Sequence, residues 1–257
     1  MDVFGRTPLS FAIHEGLDRV VAILLDTPHL DFKDGSVALC TAAMEGVLSV
    51  VEALLKRGLS TEKKTKYGET ALHLAAQQGH LQVVKLLASH SPSHVLNAKD
   101  NNGWTVSHRA ITSGNQELFL WLANHPQVDL GLRDKHGRRP VAFAAAYGTL
   151  AMLKDVLSRR PGDITHKDSF GNTLFHMAAL GSSTQNLSYL LQLAEEGQLD
   201  RPGINSWGRT VLDLAPTQGM ADYLRDLGFE HSPGYRAFQN NLALQIRRLE
   251  EAQAMIP

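Results

Sequence analysis

The sequence has little of three things that mark specialised classes of protein. It holds one cysteine, Cys40, in 257 residues, which excludes an internal disulfide framework and fits a reducing compartment. Its 25 lysines and arginines are balanced by 26 aspartates and glutamates, so the overall basic surplus that suits nucleic acid or an anionic membrane is missing. No apolar run approaches the roughly 20 residues of a membrane-spanning helix, and the N-terminus "MDVFGRTPLS" lacks the pattern of a secretory signal. We therefore expect an intracellular, cytoplasmic location, with the nucleus left open.

Signatures of catalysis are also missing. The sequence contains no HExxH, no phosphate-binding loop and no GxSxG. The pair of histidines in "HSPSH", His90 and His94, has no nearby cysteine or third ligand to complete a zinc set. We expect no enzyme activity, no catalytic residue, no metal and no cofactor.

What the sequence does contain is a repeat. A glycine precedes a Thr-x-Leu-like segment seven times, at intervals of 30 to 37 residues. These first glycines are Gly5, Gly35, Gly68, Gly103, Gly137, Gly171 and Gly208. A second glycine follows at Gly16, Gly46, Gly79, Gly114, Gly148, Gly181 and Gly219. Breakers at Pro28, Gly58, Pro92, Pro126 and Pro161 keep the same phase, so the chain is an array of similar units.

Each marker has a physical role. The first glycine suits a tight turn with positive φ, and the threonines that follow can cap a helix. These threonines are Thr7, Thr70, Thr105, Thr173 and Thr210. The second glycine is interpreted as a left-handed helix cap, and apolar residues then recur at helical spacing, as in Val20, Val21 and Leu24. Each unit is predicted to be a turn, a short helix, a longer helix and a loop, stable only when stacked on its neighbours.

The stretches "GETALHLAAQQGHLQVVKLL", "GNTLFHMAALG" and "GRTPLSFAIHEG" resemble the ankyrin repeat. This resemblance implies an all-α helix-turn-helix solenoid with short β-turn or hairpin tips and a C-terminal helix. We place the array at residues 1–230 and a C-terminal capping or docking helix at 231–257. The expected units lie near 2–33, 34–65, 66–99, 100–133, 134–167, 168–204 and 205–230.

Departures from the pattern carry their own expectations. Val37 and Arg139 replace the capping threonine, so their turns should be less tightly fixed. Pro216 falls within the first helix of the seventh unit, which should therefore be distorted.

Histidines recur at one repeat position, and we interpret them as structural. His73, His108 and His176 should lie buried at the start of their helices, bonded to the turn backbone and stacked one repeat apart rather than converging on an ion. Cys40 takes the same position in the second unit, where a small buried residue is expected rather than a nucleophile.

Basic clusters such as "KKTK" at 63–66 are dispersed, and acids such as Glu62 and Asp163 accompany them. We interpret them as solvated surface charge, with "KKTK" as a nuclear import signal the alternative.

The resemblance implies protein binding through the turn tips and the adjoining concave face. Aromatic residues and arginine dominate interface energies, and we predict partner-binding residues on that basis. The predicted tip residues are Phe4, Arg6, Tyr67, Trp104, Lys135, His136, Arg138, Phe170, Trp207 and Arg209. The predicted concave residues are Gln77, Gln78, Thr112, Ser113 and Tyr147. Trp104 and Arg138 follow their glycines and should point outward, whereas the aromatics before the glycines are equally explained by packing on the adjacent tip.

The segment "YRAFQNNLALQIRRLEEAQAMIP" breaks the repeat but places Phe238, Leu242, Ile246 and Leu249 on one helical stripe. It is interpreted as a capping helix, with docking or dimerisation through 235–254 as the alternative to a monomer. The first unit begins directly at its turn, so we expect the chain to be a fragment of a larger protein. The predicted function is a non-catalytic protein-interaction scaffold. The alternative is the recognition arm of a larger enzyme, ubiquitin-ligase adaptor or immune-type receptor.

Overall fold

The computed structural model describes residues 7–27 and 35–234, and every regular element within these ranges is helical. The all-α expectation is confirmed for this part of the chain. The predicted tip residues Phe4 and Arg6, the first glycine Gly5, the breaker Pro28 and the C-terminal stripe lie outside the described residues.

The helices come in pairs, each with a first and a second helix. The first helices are α1 (Pro8–His14), α3 (Gly35–Glu45), α5 (Ala71–Gln77), α8 (Val106–Thr112), α10 (Pro140–Tyr147) and α12 (Leu174–Leu180). The second helices are α2 (Asp18–Asp26), α4 (Leu48–Lys56), α6 (Leu81–Ser89), α9 (Gln116–Asn124), α11 (Leu150–Arg159) and α13 (Thr184–Glu195). The seventh pair is a 3-10 helix, Leu212–Leu214, with α14 (Gln218–Asp226). Short extra turns are α7 (Ser93–Leu96) and a 3-10 helix at Pro161–Thr165.

The pairs stack in sequence order. Among the first helices, α3 contacts α1 and α5, and α8 contacts α5 and α10, which in turn contacts α12. Among the second helices, α11 contacts α9 and α13, so these three form a second layer. The middle of the stack is the most deeply buried: every residue of α10 from Pro140 to Ala146 is buried, as its all-apolar sequence suits. Since each pair contacts only its neighbours, stability is carried from one interface to the next.

The first pair differs from the others. Val20 was expected on a buried face but is 42% exposed, whereas the equivalent Val50, Val83, Leu118 and Met152 are between 0% and 6% exposed. Residues 1–6 and 28–34, which adjoin this pair, are not described.

Three histidines fix the starts of first helices, as predicted. In pair three the backbone N–H of Thr70 donates to His73 Nδ1 (3.2 Å), and His73 Nε2 lies 3.1 Å from the carbonyl oxygens of Ala98 and Trp104 in the next turn. His108 and His176 repeat this arrangement with Thr105 and Thr173. Because a backbone N–H can only donate, the ring proton resides on Nε2, which donates to the next turn.

Pair five achieves the same bond differently, which corrects the expectation of a loosely fixed turn. The histidine position is taken by Ala142 and the cap position by Arg139. The Nε2 atom of the buried His166, from the loop after α11, accepts the Arg139 backbone N–H at 3.4 Å. The Arg139 guanidinium pairs with Asp163. A histidine distant in sequence thus supplies the missing acceptor.

The second glycines follow the prediction only in the first four pairs. Gly16, Gly46, Gly79 and Gly114 have φ between 64° and 77°. The prediction is wrong for the last three. Gly148 is extended (φ −82°, ψ 164°), since Thr149 caps α11 directly, and Gly181 has φ −83° while Ser182 takes the left-handed conformation at 57°. Gly219 lies inside α14.

The later pairs also carry substitutions at buried positions. Asn186 is fully buried where the other pairs place apolar residues, and its amide donates to the carbonyls of Ala144, Ala145 and Gly148 at 3.0–3.1 Å. These carbonyls lie in the last turn of α10 and at its C-cap residue, where a helix leaves acceptors that are not fully used. In pair seven, the first helix is reduced to the 3-10 turn Leu212–Leu214 before Pro216, as expected from the proline.

We predict that His166→Ala destabilises the array by about 1–3 kcal/mol, because it leaves the Arg139 N–H without its acceptor. The double change Ala142→His/His166→Ala should recover part of this loss, since the new ring enters the space that His166 vacates. Urea unfolding of the two variants and the parent chain checks both statements. Unchanged stability of His166→Ala would show that the bond is dispensable.

A pH dependence follows from the capping histidines. Burial lowers the pKa of His108 to about 4 from 6.5, although bonds to the Arg138 carbonyl and the charge of Asp134 oppose the change. Between these two pKa values the unfolded chain binds a proton that the folded chain does not, so stability falls as pH drops from 6.5 towards 4. A pKa difference of this size corresponds to roughly 3 kcal/mol.

Chemical denaturation at pH 7, 5.5 and 4.5 measures this loss. The variant His108→Asn, which removes the titrating ring, should show a shallower decline than the parent chain over the same interval. Parallel declines would mean that His108 does not contribute to the acid sensitivity.

Candidate partner-binding surface

Five turn tips are described, and they share one backbone design. Each tip is closed by a bond of 2.8–3.1 Å from the N–H of its first residue to the carbonyl of its fifth. The tips are residues 65–69, 100–104, 134–138, 168–172 and 205–209. In the last four, the first residue is Asp or Asn, and its Oδ1 atom accepts the N–H groups of the third and fifth residues. This Asx turn is a side-chain mimic of backbone pairing, and it makes the tips rigid.

Neighbouring tips are joined to each other. The N–H of Asn101 donates to the carbonyl of Tyr67, and that of Lys135 donates to the carbonyl of Asn102. Ser169 and Ser206 continue the series with the carbonyls of His136 and Phe170, at 2.8 Å each. The tip edge is therefore a continuous backbone ladder, and side chains on it are held at fixed separations.

The aromatics before the turn glycines differ in how far they pack on neighbouring tips. The Phe170 ring stacks on Trp207, with centroids 4.6 Å apart, and lies 5.6 Å from the His136 ring. Phe170 therefore packs between neighbouring tips, which is one of the two interpretations that the sequence left open. Tyr67 is 60% exposed and contacts the Lys66 ammonium at 5.0 Å. Trp207 is also 60% exposed and lines, with Arg209, a cavity of about 630 Å³ at the end of the described stack.

The expectation that Trp104 and Arg138 point outward is wrong. Trp104 packs edge-on against the buried Phe143 with centroids 5.0 Å apart, and the Arg138 guanidinium lies 4.8 Å from the same ring. Arg138 also pairs with Asp134 through Nε and Nη2, at 2.8 and 2.7 Å. The fifth residue of these tips turns towards the first helices because the tip carboxylate and the apolar ring lie on that side.

The inward turn brings predicted residues together. A cavity of about 470 Å³, here called the central groove, lies across pairs three to five. It is lined by Gln77, Gln78, Trp104, Arg109, Thr112, Arg138 and Tyr147. Six of these seven were predicted from the sequence, and Gln77, Gln78, Thr112 and Tyr147 are exposed. The exposed Lys135 and His136 belong to the tip edge instead.

Arg109 is the residue of the groove that the site prediction missed. Its guanidinium donates to Asp100 (2.6 Å), Glu69 (2.9 Å) and Gln77 (3.0 Å), and lies 4.7 Å from the Trp104 ring. The sequence signal was available, since Arg109 follows the capping histidine where most pairs have an apolar residue. With Arg138 and Asp134 included, two arginines face three carboxylates, so the groove is polar and carries no net positive charge.

Cys40 is a buried residue, as expected. It lies against a second cavity of about 400 Å³ that Val37, Met44 and Tyr67 also line. Burial, with a smaller effect of the Glu69 charge, raises the pKa of its thiol to about 12, so the thiol stays protonated and is a poor nucleophile.

Two further observations concern other kinds of site. Within residues 7–27 and 35–234, no group of three or more His, Cys, Asp or Glu side chains is placed to hold a metal ion. Over the same ranges, none of the helices has the length and apolar character needed to cross a membrane.

Comparison with known proteins agrees with this geometry. The family model for ankyrin repeats matches residues 39–134, in three copies. Rabankyrin-5 of Mus musculus is 30% identical over 166 residues, which is 65% of this chain and 14% of that protein. Neurogenic locus notch homolog protein 1 of Homo sapiens is 30% identical over 149 residues, 58% of this chain and 6% of that protein. The chain thus spans a small part of these relatives' length. Ankyrin repeats generally serve as protein–protein interaction modules, and residues 39–134 of this chain match that family.

Proposed function

We propose that the protein is a non-catalytic interaction scaffold that holds a protein partner in the central groove and along the tip edge. The observation that carries this proposal is the convergence of Gln77, Gln78, Trp104, Arg138 and Tyr147 on one cavity. Residues from three consecutive pairs supply the lining, so a bound segment would contact all three at once.

The groove combines a fixed floor with an adaptable rim. Trp104, Arg109 and Arg138 are held by ion pairs and ring contacts, so their geometry costs little to maintain on binding. Gln78 and Thr112 are exposed and offer hydrogen-bond donors and acceptors on either side. A rigid aromatic and arginine floor with polar groups at its edge is the usual anatomy of an interface hot spot.

Tyr147 is the best anchor. Its side chain is 53% exposed, and its ring lies 6.1 Å from Phe143. An exposed tyrosine that packs on a buried ring offers a partner both a large apolar face and a hydroxyl group. Because the tyrosine side chain has few rotamers, little conformational entropy is lost when a partner binds.

The perturbed titrating groups support a non-catalytic role. His73, His108 and His176 have lowered pKa values caused first by burial, and both ring nitrogens of each contact backbone groups of the turns. Their nitrogens are therefore engaged in holding the turns and are not presented to a substrate.

A second proposal is that the array acts as the recognition arm of a larger protein, such as an enzyme, a ubiquitin-ligase adaptor or an immune-type receptor. It is supported by the small share of each relative, 14% and 6%, that the matched region represents. The two proposals share the same binding surface and differ in what the surface is attached to.

The groove can be tested with the variant Gln78→Ala/Thr112→Ala/Tyr147→Ala. These side chains are exposed, so the fold should persist while a partner recovered with the parent chain is lost, with affinity reduced about tenfold or more. Affinity capture from native lysate with quantitative mass spectrometry identifies the partner, and titration of that partner gives the affinity ratio.

The matched control is Gln82→Ala/Ser158→Ala/Gln185→Ala, three exposed polar truncations on second helices. Circular dichroism verifies that both variants are folded. Equal recovery of the partner by parent, groove variant and control would remove the groove from the binding site.

A further inference from the structure

A row of cations runs along the tip edge. Lys64, Lys99, Arg133 and Lys167 occupy equivalent positions, each directly before the first residue of a tip, and all four are exposed. We call these four residues the cation row. They come from four consecutive units of a chain whose total formal charge is −1, so their alignment is a local feature and does not follow from a basic composition.

The charged groups of the row are held in place by backbone. Lys64 Nζ donates to the carbonyl oxygen of Lys99 at 2.9 Å, and Lys99 Nζ donates to that of Arg133 at 2.7 Å. Arg133 Nη1 donates to the Gly137 carbonyl at 2.9 Å and lies 3.4 Å from that of Lys167. A neutral carbonyl orders a cation without cancelling its charge. By contrast, Arg139 and Arg160 both pair with the carboxylate of Asp163, which cancels part of their charge.

The carboxylate nearest to Lys64 in sequence, Glu62, is exposed and lies 3.8 Å from His94, whereas those next to Lys99, Arg133 and Lys167 face inward. Asp100, Asp134 and Asp168 are buried, and each accepts two backbone N–H groups of its own tip. Their second oxygens bond to Arg109, Arg138 and Asn172, respectively. Within the described residues, none of the ion pairs involves a member of the cation row. The exposed Lys66 and Lys135 add to the positive charge of the same edge.

The spacing of the row suits an extended chain. Stacked helices lie about 8–10 Å apart, so successive cations of the row are separated by roughly that distance. A peptide extended in the polyproline II conformation advances about 3.1 Å per residue with three residues per turn, so every third side chain lies on the same side and falls opposite the next cation. Four cations correspond to about ten residues of peptide.

We propose that the cation row binds an extended acidic segment of a partner protein, with Asp or Glu at about every third position. This inference deepens the proposed function and rests on it, since it names the chemistry of one part of the partner. A nucleic-acid strand fits less well, because it carries a charge about every 3.4 Å, which is nearly three times denser than the row.

The test uses the whole chain and synthetic peptides of 13 residues, labelled for fluorescence anisotropy. The probe peptide has Glu at positions 2, 5, 8 and 11 and Gly or Ser elsewhere. A second peptide has the same composition with its four Glu residues adjacent, and a third has Gln in place of Glu.

The row variant is Lys64→Gln/Lys99→Gln/Lys167→Gln. Its matched control, Lys56→Gln/Lys85→Gln/Lys154→Gln, removes the same charge from second helices. Loss of three ion pairs should weaken the probe about tenfold at low salt, with a change of less than about twofold for the control. The charge-retaining variant Lys64→Arg/Lys99→Arg/Lys167→Arg should bind nearly as the parent does, and added salt should reduce binding by the parent.

Three results would overturn the proposal: equal weakening by row variant and control, equal binding of the spaced and adjacent peptides, or tighter binding of single-stranded oligothymidine than of the probe. The proposed function is tested separately. If the partner recovered by capture is lost with the groove variant but kept by the row variant, the scaffold function stands and the cation row is not part of it.

Discussion

The array depends on one recurring requirement: the backbone N–H of the residue that precedes a first helix needs an acceptor. Serine, histidine and aspartate side chains meet it in six of the seven pairs. Ser10 does so in pair one, a histidine in pairs three, four and six, His166 from a distant loop in pair five, and Asp213 in pair seven. In pairs three, four and six the second nitrogen of the histidine reaches the next turn, so the bond that starts one helix also fixes the neighbouring unit. The chain keeps the bond and varies the residue.

The sequence predicted most of the fold because glycine, threonine and histidine perform local tasks at fixed spacing. The prediction failed where a residue from another part of the chain supplied the hydrogen-bond partner. The residues near Ala142 do not indicate that His166 supplies the acceptor for the Arg139 N–H. The sequence of α13 does not indicate that the Asn186 amide binds carbonyls of α10. The same reason explains the orientation error at Trp104, since the ring that attracts it, Phe143, belongs to the following unit. Contacts between units are long-range in sequence, and a repeat pattern alone does not encode their partners.

The candidate surface was predicted in composition better than in geometry. Tyr147, Gln77 and Gln78 were expected on the concave face, and Trp104 and Arg138 on the tips, but all five line one groove. Phe143 explains the convergence, because Trp104, Arg138 and Tyr147 all contact its ring. A fully buried phenylalanine in the central helix thus organises side chains from two tips. The cation row was present in the sequence as well, yet only the structure shows that its members are tied to carbonyl oxygens rather than to carboxylates.

The ladder that joins the tips also has a mechanical consequence. Each tip is fastened to the next by one backbone bond, and in the middle of the edge by a lysine or arginine that reaches the following carbonyl. Any bending that spreads the tips must lengthen all of these bonds together, whereas bending that closes them must compress the first helices. The array therefore resists bending along this edge, and a ligand that spans several tips would increase this resistance.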